Sequence, residues 1–186
     1  MTPLSRAPFL VILLACACSK PKVAVYDAPK EQAPALTQPT ASQGHEGHQH
    51  DLPIAWNVPA GWTQQPGSDM RVATLLPPAA AGKAELSIIQ LSGDAGGDLA
   101  NVNRWRGQLG LEPVSSLAGQ ADSVSTPAGK TLVVDLQGAA DQAMLAAILQ
   151  DGNARWFFKL AGPAAAVAGL KPDFKTFLRS LRHGGS

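Results

Sequence analysis

The chain is 186 residues long, room for one folded domain or two at most. Its formal net charge is +1, from 15 basic and 14 acidic residues, so no whole-molecule field draws it to nucleic acid or to an anionic membrane. Cysteine is confined to Cys16 and Cys18, which leaves everything downstream without a disulfide framework or thiol chemistry.

The first element in chain order reads as an export leader. Arg6 gives a short positive region, and the apolar run Phe9 to Ala15 follows it. That run is too short to span a hydrocarbon core, which takes about 20 helical residues. The segment Leu13-Leu14-Ala15-Cys16 resembles the lipobox of bacterial lipoproteins. The resemblance implies that residues 1–15 are a signal peptide and that the Cys16 sulfur carries a diacylglycerol. Small Ala15 suits the cleavage position, and Leu13 suits the position three before the cysteine. Cys18 fits less well, because it would put Ala15 where the large apolar residue belongs. Ala17 is not the aspartate associated with inner-membrane retention, so the expected address is the outer membrane, facing the periplasm. An ordinary signal peptide with two incidental cysteines is the plain alternative.

From residue 16 to residue 51 the chain is rich in Pro, Ala, Gln, Thr, Lys and Ser and has no sustained apolar period. Such a composition cannot offset the entropy of ordering, so it reads as a disordered tether. Its reach is on the order of 30 Å, extended further by the prolines. Near its end stands Gly44-His45-Glu46-Gly47-His48-Gln49-His50-Asp51. His45, His48 and His50 can converge on one copper, nickel or zinc ion, since neutral imidazole suits all three. Short His-rich tracts also occur as plain solvated linkers, and no preformed site follows from the spacing.

The folded domain is expected over residues 52–183. Ile54 to Val58 reads as a short strand leading into the turn Pro59-Ala60-Gly61-Trp62. Met70–Leu76 and Ala84–Leu91 read as adjacent antiparallel strands. Asp98 is a fair N-cap for a helix through Leu109, with Gly110 as its left-handed terminator. Leu99, Val102, Leu109 and either Trp105 or Arg106 make its inward stripe. Strands are expected at Ser123–Thr126 and Lys130–Gln137. Met144–Leu149 and Arg155–Leu160 flank Asp151-Gly152, the clearest hairpin signal in the chain. Phe174, Phe177, Leu178 and Leu181 then fall at helical spacing, with Pro172 starting that helix or kinking a longer one. These elements assign an α+β class, an antiparallel sheet with helices packed on it.

The element order resembles the PsbP-like fold. Three stretches also resemble a family of uncharacterised lipoproteins associated with planctomycetes and related bacteria. They are Trp56-x-Val58-Pro59-x-Gly61-Trp62, then Gly96-Gly97-x-x-Ala100-Asn101-Val102-Asn103-Arg104-Trp105-Arg106, then Trp156-Phe157-Phe158-Lys159-Leu160-x-Gly162-Pro163. That resemblance covers about Trp56 to Leu181 and brings no activity, cofactor or metal role with it.

Between Leu52 and Arg182 there is no His, Cys or Tyr. A Ser-His-Asp or Cys-His arrangement needs an imidazole or a thiol, and a His₃ or Cys-containing zinc site needs the same groups. His183 lies in the C-terminal tail. Carboxylate chemistry remains, but Asp94 and Asp98 beside the Gly93–Gly97 turn are accounted for by turn formation and helix capping. The same turn lacks the Lys-Ser/Thr of a phosphate loop, and it lacks the alternating oxygens of a calcium loop. Asn101, Asn103, Arg104, Trp105 and Arg106 form the candidate partner surface, because Arg and Trp are favoured at interface centres. Trp105 as core with arginines as surface charges is the alternative.

The leading expectation is a lipid-anchored periplasmic binding or assembly module, non-enzymatic, without a cofactor and with an envelope protein as partner. The second is copper or zinc handling by the tether. A carboxylate enzyme is the third. If Cys16 carries the anchor, the full chain pellets with membranes, and a Cys16→Ser form whose residues 1–15 are replaced by a cleavable non-lipoprotein signal peptide is released to the soluble periplasmic fraction. Equal fractionation of the two forms, measured by immunoblot, would contradict the assignment.

Overall fold

Strand β8, Ala154–Pro163, shows how the sequence makes the architecture. Successive side chains of a strand point to opposite faces, so Trp156, Phe158 and Leu160 face one way and Phe157 the other. Both sets are buried, at 5% exposure or less. A strand that is apolar on both faces needs cover on both, and this one has it.

The computed structural model describes residues 52–68 and 70–185, all within one compact unit. The expected leader, Cys16 and the expected tether with His45, His48 and His50 lie outside the described residues. Among those described, the other strands are β1 (Ile54–Ala55), β2 (Thr63–Ser68), β3 (Arg71–Leu76), β4 (Glu85–Ser92), β5 (Asp122–Thr126), β6 (Gly129–Gln137), β7 (Gln142–Asp151) and β9 (Arg182–His183). The helices are α1 (Asp98–Gln108), α2 (Ala164–Gly169) and α3 (Lys171–Arg179). Strands β2 to β8 form one antiparallel sheet in the order β2-β3-β4-β8-β7-β6-β5, and β1 pairs with β9 separately. The fold is α+β, an antiparallel sheet with helices on it.

The longest hairpin, β7–β8, carries ten register pairs from Gln142↔Pro163 to Asp151↔Ala154. Asp151 is the last residue of its strand, so the loop is Gly152-Asn153, and positive φ falls on Gly152 alone at 53°. Glycine accepts that angle without a Cβ clash.

One face of the sheet carries Leu75, Leu86, Ile88, Leu145, Leu149, Trp156, Phe158 and Leu160, covered by Val167, Phe174, Phe177 and Leu178 of α2 and α3 and by Trp56 and Trp62. Phe158 meets Phe177 edge to face at 5.5 Å. The expected Pro59–Trp62 turn forms, with Gly61 at φ 78° and the Trp62 N–H donating to the Pro59 carbonyl at 3.1 Å. Trp62 Nε1 then donates to Asp173 Oδ2 at 3.0 Å, which pins the turn to α3. The opposite face carries Val134, Leu136, Met144, Ala146, Ile148 and Phe157, covered by Val102, Trp105 and Leu109 of α1.

Several expectations change in detail. The first strand stops at Ala55. β2 is an unforeseen edge strand, and its residues TQQPGS carry no apolar alternation. Its Pro66 is tolerated because an edge strand has one side without ladder bonds. Asp98 is the first residue of α1 and not its cap; Gly97 stands in the cap position with no side-chain bond. The end of α1 is as expected: Gly110 has φ 69°, and the Leu111 N–H returns to the Arg106 carbonyl at 2.9 Å. The final helical run is broken at Leu170, with Pro172 in the first turn of α3.

Phe158 is fully buried at the centre of the larger core. Phe158→Ala should lower unfolding stability by about 3–5 kcal/mol in a urea titration. A loss below about 1 kcal/mol would mean that this face does not hold the fold.

Candidate functional site

The five residues of the expected partner surface divide between packing and bracing. Trp105 is buried at 6% exposure and meets Phe157 edge to face at 6.0 Å. Asn101, at 2%, donates from Nδ2 to the carbonyls of Ala95 and Gly97, at 2.9 and 2.7 Å, and so ties the turn to α1. Its Oδ1 accepts from Arg104 Nη1 at 2.6 Å. Asn103 exchanges two bonds with the Val114 backbone, and Arg106 Nε donates to the Glu112 carbonyl at 2.7 Å. Asn101 and Trp105 therefore present nothing to a partner. Asn103 and Arg106 hold the loop after α1, and Arg104 alone of the five is exposed. The physical reason is the 100° step between helical residues, which turns Trp105 onto the sheet and Arg104 away from it.

A cleft opens instead beside the start of α1. It has a volume of about 290 Å³ and is lined by Asp98, Ser123, Lys130, Leu132, Ile148, Gln150 and Arg155. Four adjacent strands supply six of these residues. β5 gives Ser123, β6 gives Lys130 and Leu132, β7 gives Ile148 and Gln150, and β8 gives Arg155. All point to the α1 side, because each pair on one strand is two residues apart and Ser123 stands opposite Leu132. Leu132 and Ile148 make an apolar floor.

Arg155 is the fixed point of the cleft. Its side chain is 11% exposed, with Nη1 3.0 Å from Asp98 Oδ1 and Nη2 3.0 Å from Asp94 Oδ1. Its Nε donates to Gln150 Oε1 at 2.9 Å, and Gln150 Nε2 donates to the Gly152 carbonyl at 2.8 Å. This network explains why Asp98 does not cap α1: its carboxylate is drawn to the guanidinium. Asp94 is 73% exposed and so contributes little. Lys130 and Ser123 are different. Neither has a hydrogen-bond or ion-pair partner among the described residues. Sequence reading missed all six strand residues. The only trace was the polar end of each apolar stripe: Lys130 before Leu132, Gln150 after Ile148, Arg155 before Phe157.

On the same face, away from α1, the sheet is polar. Arg71 reaches along β3, donating from Nη1 to Thr74 Oγ1 at 3.2 Å and from Nη2 to Glu85 Oε1 at 2.9 Å. Thr74 and Ser87 beneath it are buried at 8% and 1%. Thr74, Ser87 and Lys159 stand in one row across β3, β4 and β8. Burial lowers the Lys159 pKa, and the Arg71 charge lowers it further against the opposing pull of Glu85.

Cys16, His45, His48 and His50 lie outside the described residues. Among the described ones, no three His, Cys, Asp or Glu side chains come together in a way that could hold a metal ion. His183 Nδ1 stands 3.5 Å from Asp151 Oδ1. No helix among the described residues is long and apolar enough to cross a membrane.

No protein-family model matches the chain, and no curated protein matches it. Solved structures do. One is a protein of Bacteroides thetaiotaomicron VPI-5482, at 13% identity and a TM-score of 0.45, covering 70% of this chain and 45% of that one. This chain thus spans less than half the length of the Bacteroides protein. A second is cyanobacterial PsbP (CyanoP) from Synechocystis sp. PCC 6803, at 14% identity and a TM-score of 0.45, covering 77% and 98%. A third is LpqN, involved in cell envelope biogenesis of Mycobacterium tuberculosis, at 16% identity and a TM-score of 0.44, covering 69% and 82%. At these identities nothing about activity is transferred.

The Lys159 shift has a measurable consequence. Its pKa lies below 10.5 in the folded chain, so the unfolded chain holds the proton more tightly. The cost of burying the ammonium is full below the folded pKa and is relieved as pH rises from there to 10.5. Lys159→Met should therefore raise the urea midpoint at pH 7, and its advantage over the parent should shrink toward pH 10.5. An advantage that grows with pH would refute the assignment.

Proposed function

We propose that the chain is a lipid-anchored envelope protein whose folded domain is a non-enzymatic binding module. The observation that carries this reading is the cleft at the start of α1. Its polar groups come from four neighbouring strands of one sheet, and Arg155 is held there by two carboxylates and a glutamine. Side chains fixed this way do not have to be ordered when a ligand arrives, which lowers the entropic cost of binding. The groups also suit recognition better than turnover. The acid in the lining, Asp98, is engaged with Arg155, and between Leu52 and Arg182 the chain has no imidazole or thiol to move a proton or attack a carbonyl.

The lipobox-like segment and the long polar tether support the anchored address. A tether on the order of 30 Å lets the domain sample the space beside its membrane without lying on it. The partner this reading calls for is an envelope component, with an envelope protein as the first candidate.

Amide hydrogen exchange tests the proposal. The lipidated full chain is incubated in detergent with and without a detergent extract of cell envelopes. Exchange should slow in 122–132 and 148–157 while 63–76, at the far edge of the sheet, stays unchanged. Identical exchange with and without extract would overturn the binding reading.

A further inference from the structure

We infer that the α1 cleft takes a small amphiphilic monocarboxylate, its head on Lys130 and Ser123 and its apolar body on Leu132 and Ile148. This rests on the binding reading above and gives it a ligand class.

Size comes first. At about 30 Å³ per water, 290 Å³ is room for about ten waters, and so for a ligand of about ten non-hydrogen atoms. Pockets for drug-sized ligands begin at about 300 Å³, so this one is at the small end. The cleft is open to solvent, so a longer ligand would leave part of itself outside it.

Charge comes next. Within the lining, Asp98 offsets Arg155 at 3.0 Å. Lys130 is then the lining charge that no carboxylate answers among the described residues. Lys130 and Ser123 are both exposed and so open to a ligand, and a single cation matches a single negative charge. A dianion such as a phosphate monoester would bring its second charge toward Asp98, and through it toward Asp94. An amine would meet Lys130 and Arg155.

Hydrogen bonding narrows it further. Gln150 is engaged at both ends of its amide, with Arg155 and with Gly152. Ser123 Oγ has no partner among the described residues and stands opposite Leu132, one strand over. A carboxylate accepts both from an ammonium and from a hydroxyl, so one group satisfies Lys130 and Ser123 together. The floor beside them is hydrocarbon: Ile148 is 3% exposed, and Leu132 is partly buried against the α1-side core. An alkyl or aryl body covers it, and a sugar or an amino-acid backbone would leave its own polar groups unpaired there.

The test uses the mature chain from residue 16 onward with Cys16→Ser, which carries neither an acyl chain nor the apolar run Phe9 to Ala15. Octanoate, 1-octanol and n-octylamine are titrated below their micelle concentrations and followed by amide NMR. Octanoate should shift amides of 122–132 and 148–157 saturably, and Lys130→Met should weaken it about fivefold. 1-Octanol should bind more weakly than octanoate and be indifferent to that substitution. Ser123→Trp, which fills the cleft from an exposed edge strand, should abolish both sets of shifts. Equal binding of octanol or octylamine would overturn the carboxylate inference and leave the binding reading standing. Absence of any saturable shift would overturn the inference as well; envelope extract that still slows exchange at the cleft would then keep the module reading, and extract without effect would remove both.

Discussion

Phe157 and Phe158 are neighbours in the chain and opposite in space, and the molecule is organised around that fact. Phe158 stands among Trp156, Phe177 and the floor of the larger core, while Phe157 receives the edge of Trp105 from α1. Strand β8, with β7 beside it, thus supplies both cores, one on each face of the sheet. Its neighbours are in register with it, so Ala147 lies beside Phe158 and Ile148 beside Phe157. A slip of one residue in β8 would exchange the two faces, driving Arg155 and Lys159 toward the larger core and crowding Trp156, Phe158 and Leu160 against α1.

The two faces are covered unequally, and the inequality makes the cleft. A seven-stranded sheet is roughly 29 Å across at about 4.8 Å per strand. One helix about 10 Å wide covers two or three strands of it. On the larger-core side, α2, α3 and the Trp56–Trp62 segment share the work. On the other side α1 stands alone over β6, β7 and part of β8. What it leaves open must be polar, and it is: Arg71, Glu85 and Lys159 to one side, and Lys130, Gln150 and Arg155 at its beginning. The loop between β6 and β7 then ties the faces together, with the Ala139 N–H on the Leu109 carbonyl and the Asp141 carbonyl on the Ala164 N–H, at 3.2 and 3.0 Å. Ala140 and Asp141 hold positive φ to make that loop, a strain that its bonds to both layers offset.

The Asn-Val-Asn-Arg-Trp-Arg segment shows how a conspicuous sequence can have a structural explanation. Asn101 and Asn103 offer side-chain amides from α1 to the segments before and after it. One closes the Gly93–Gly97 turn and the other fixes Val114. Trp105 packs edge to face on Phe157. The unusual composition reflects a helix that must be held at both ends to cover its face.

The strands of the two hairpins, the helical run after Pro163 and the Pro59–Trp62 turn were legible in the residues, because periodicity and turn chemistry are local; the break of that run at Leu170 was not. Strand β2 was not, since an edge strand with Pro66 lacks the alternation that a buried face imposes. Nor were the pairing of β1 with β9 and the split of the apolar strand residues between two cores, which depend on which faces find cover. The cleft was hidden for the same reason. Ser123, Lys130, Gln150 and Arg155 belong to four strands, and nothing in the spacing along the chain places them together. Sequence alone gives the expectation of a leader and a tether, and it shows that imidazole and thiol are absent between Leu52 and Arg182. Tertiary structure alone decided where the polar ends of four apolar stripes meet, because strand order and register are set by long-range packing.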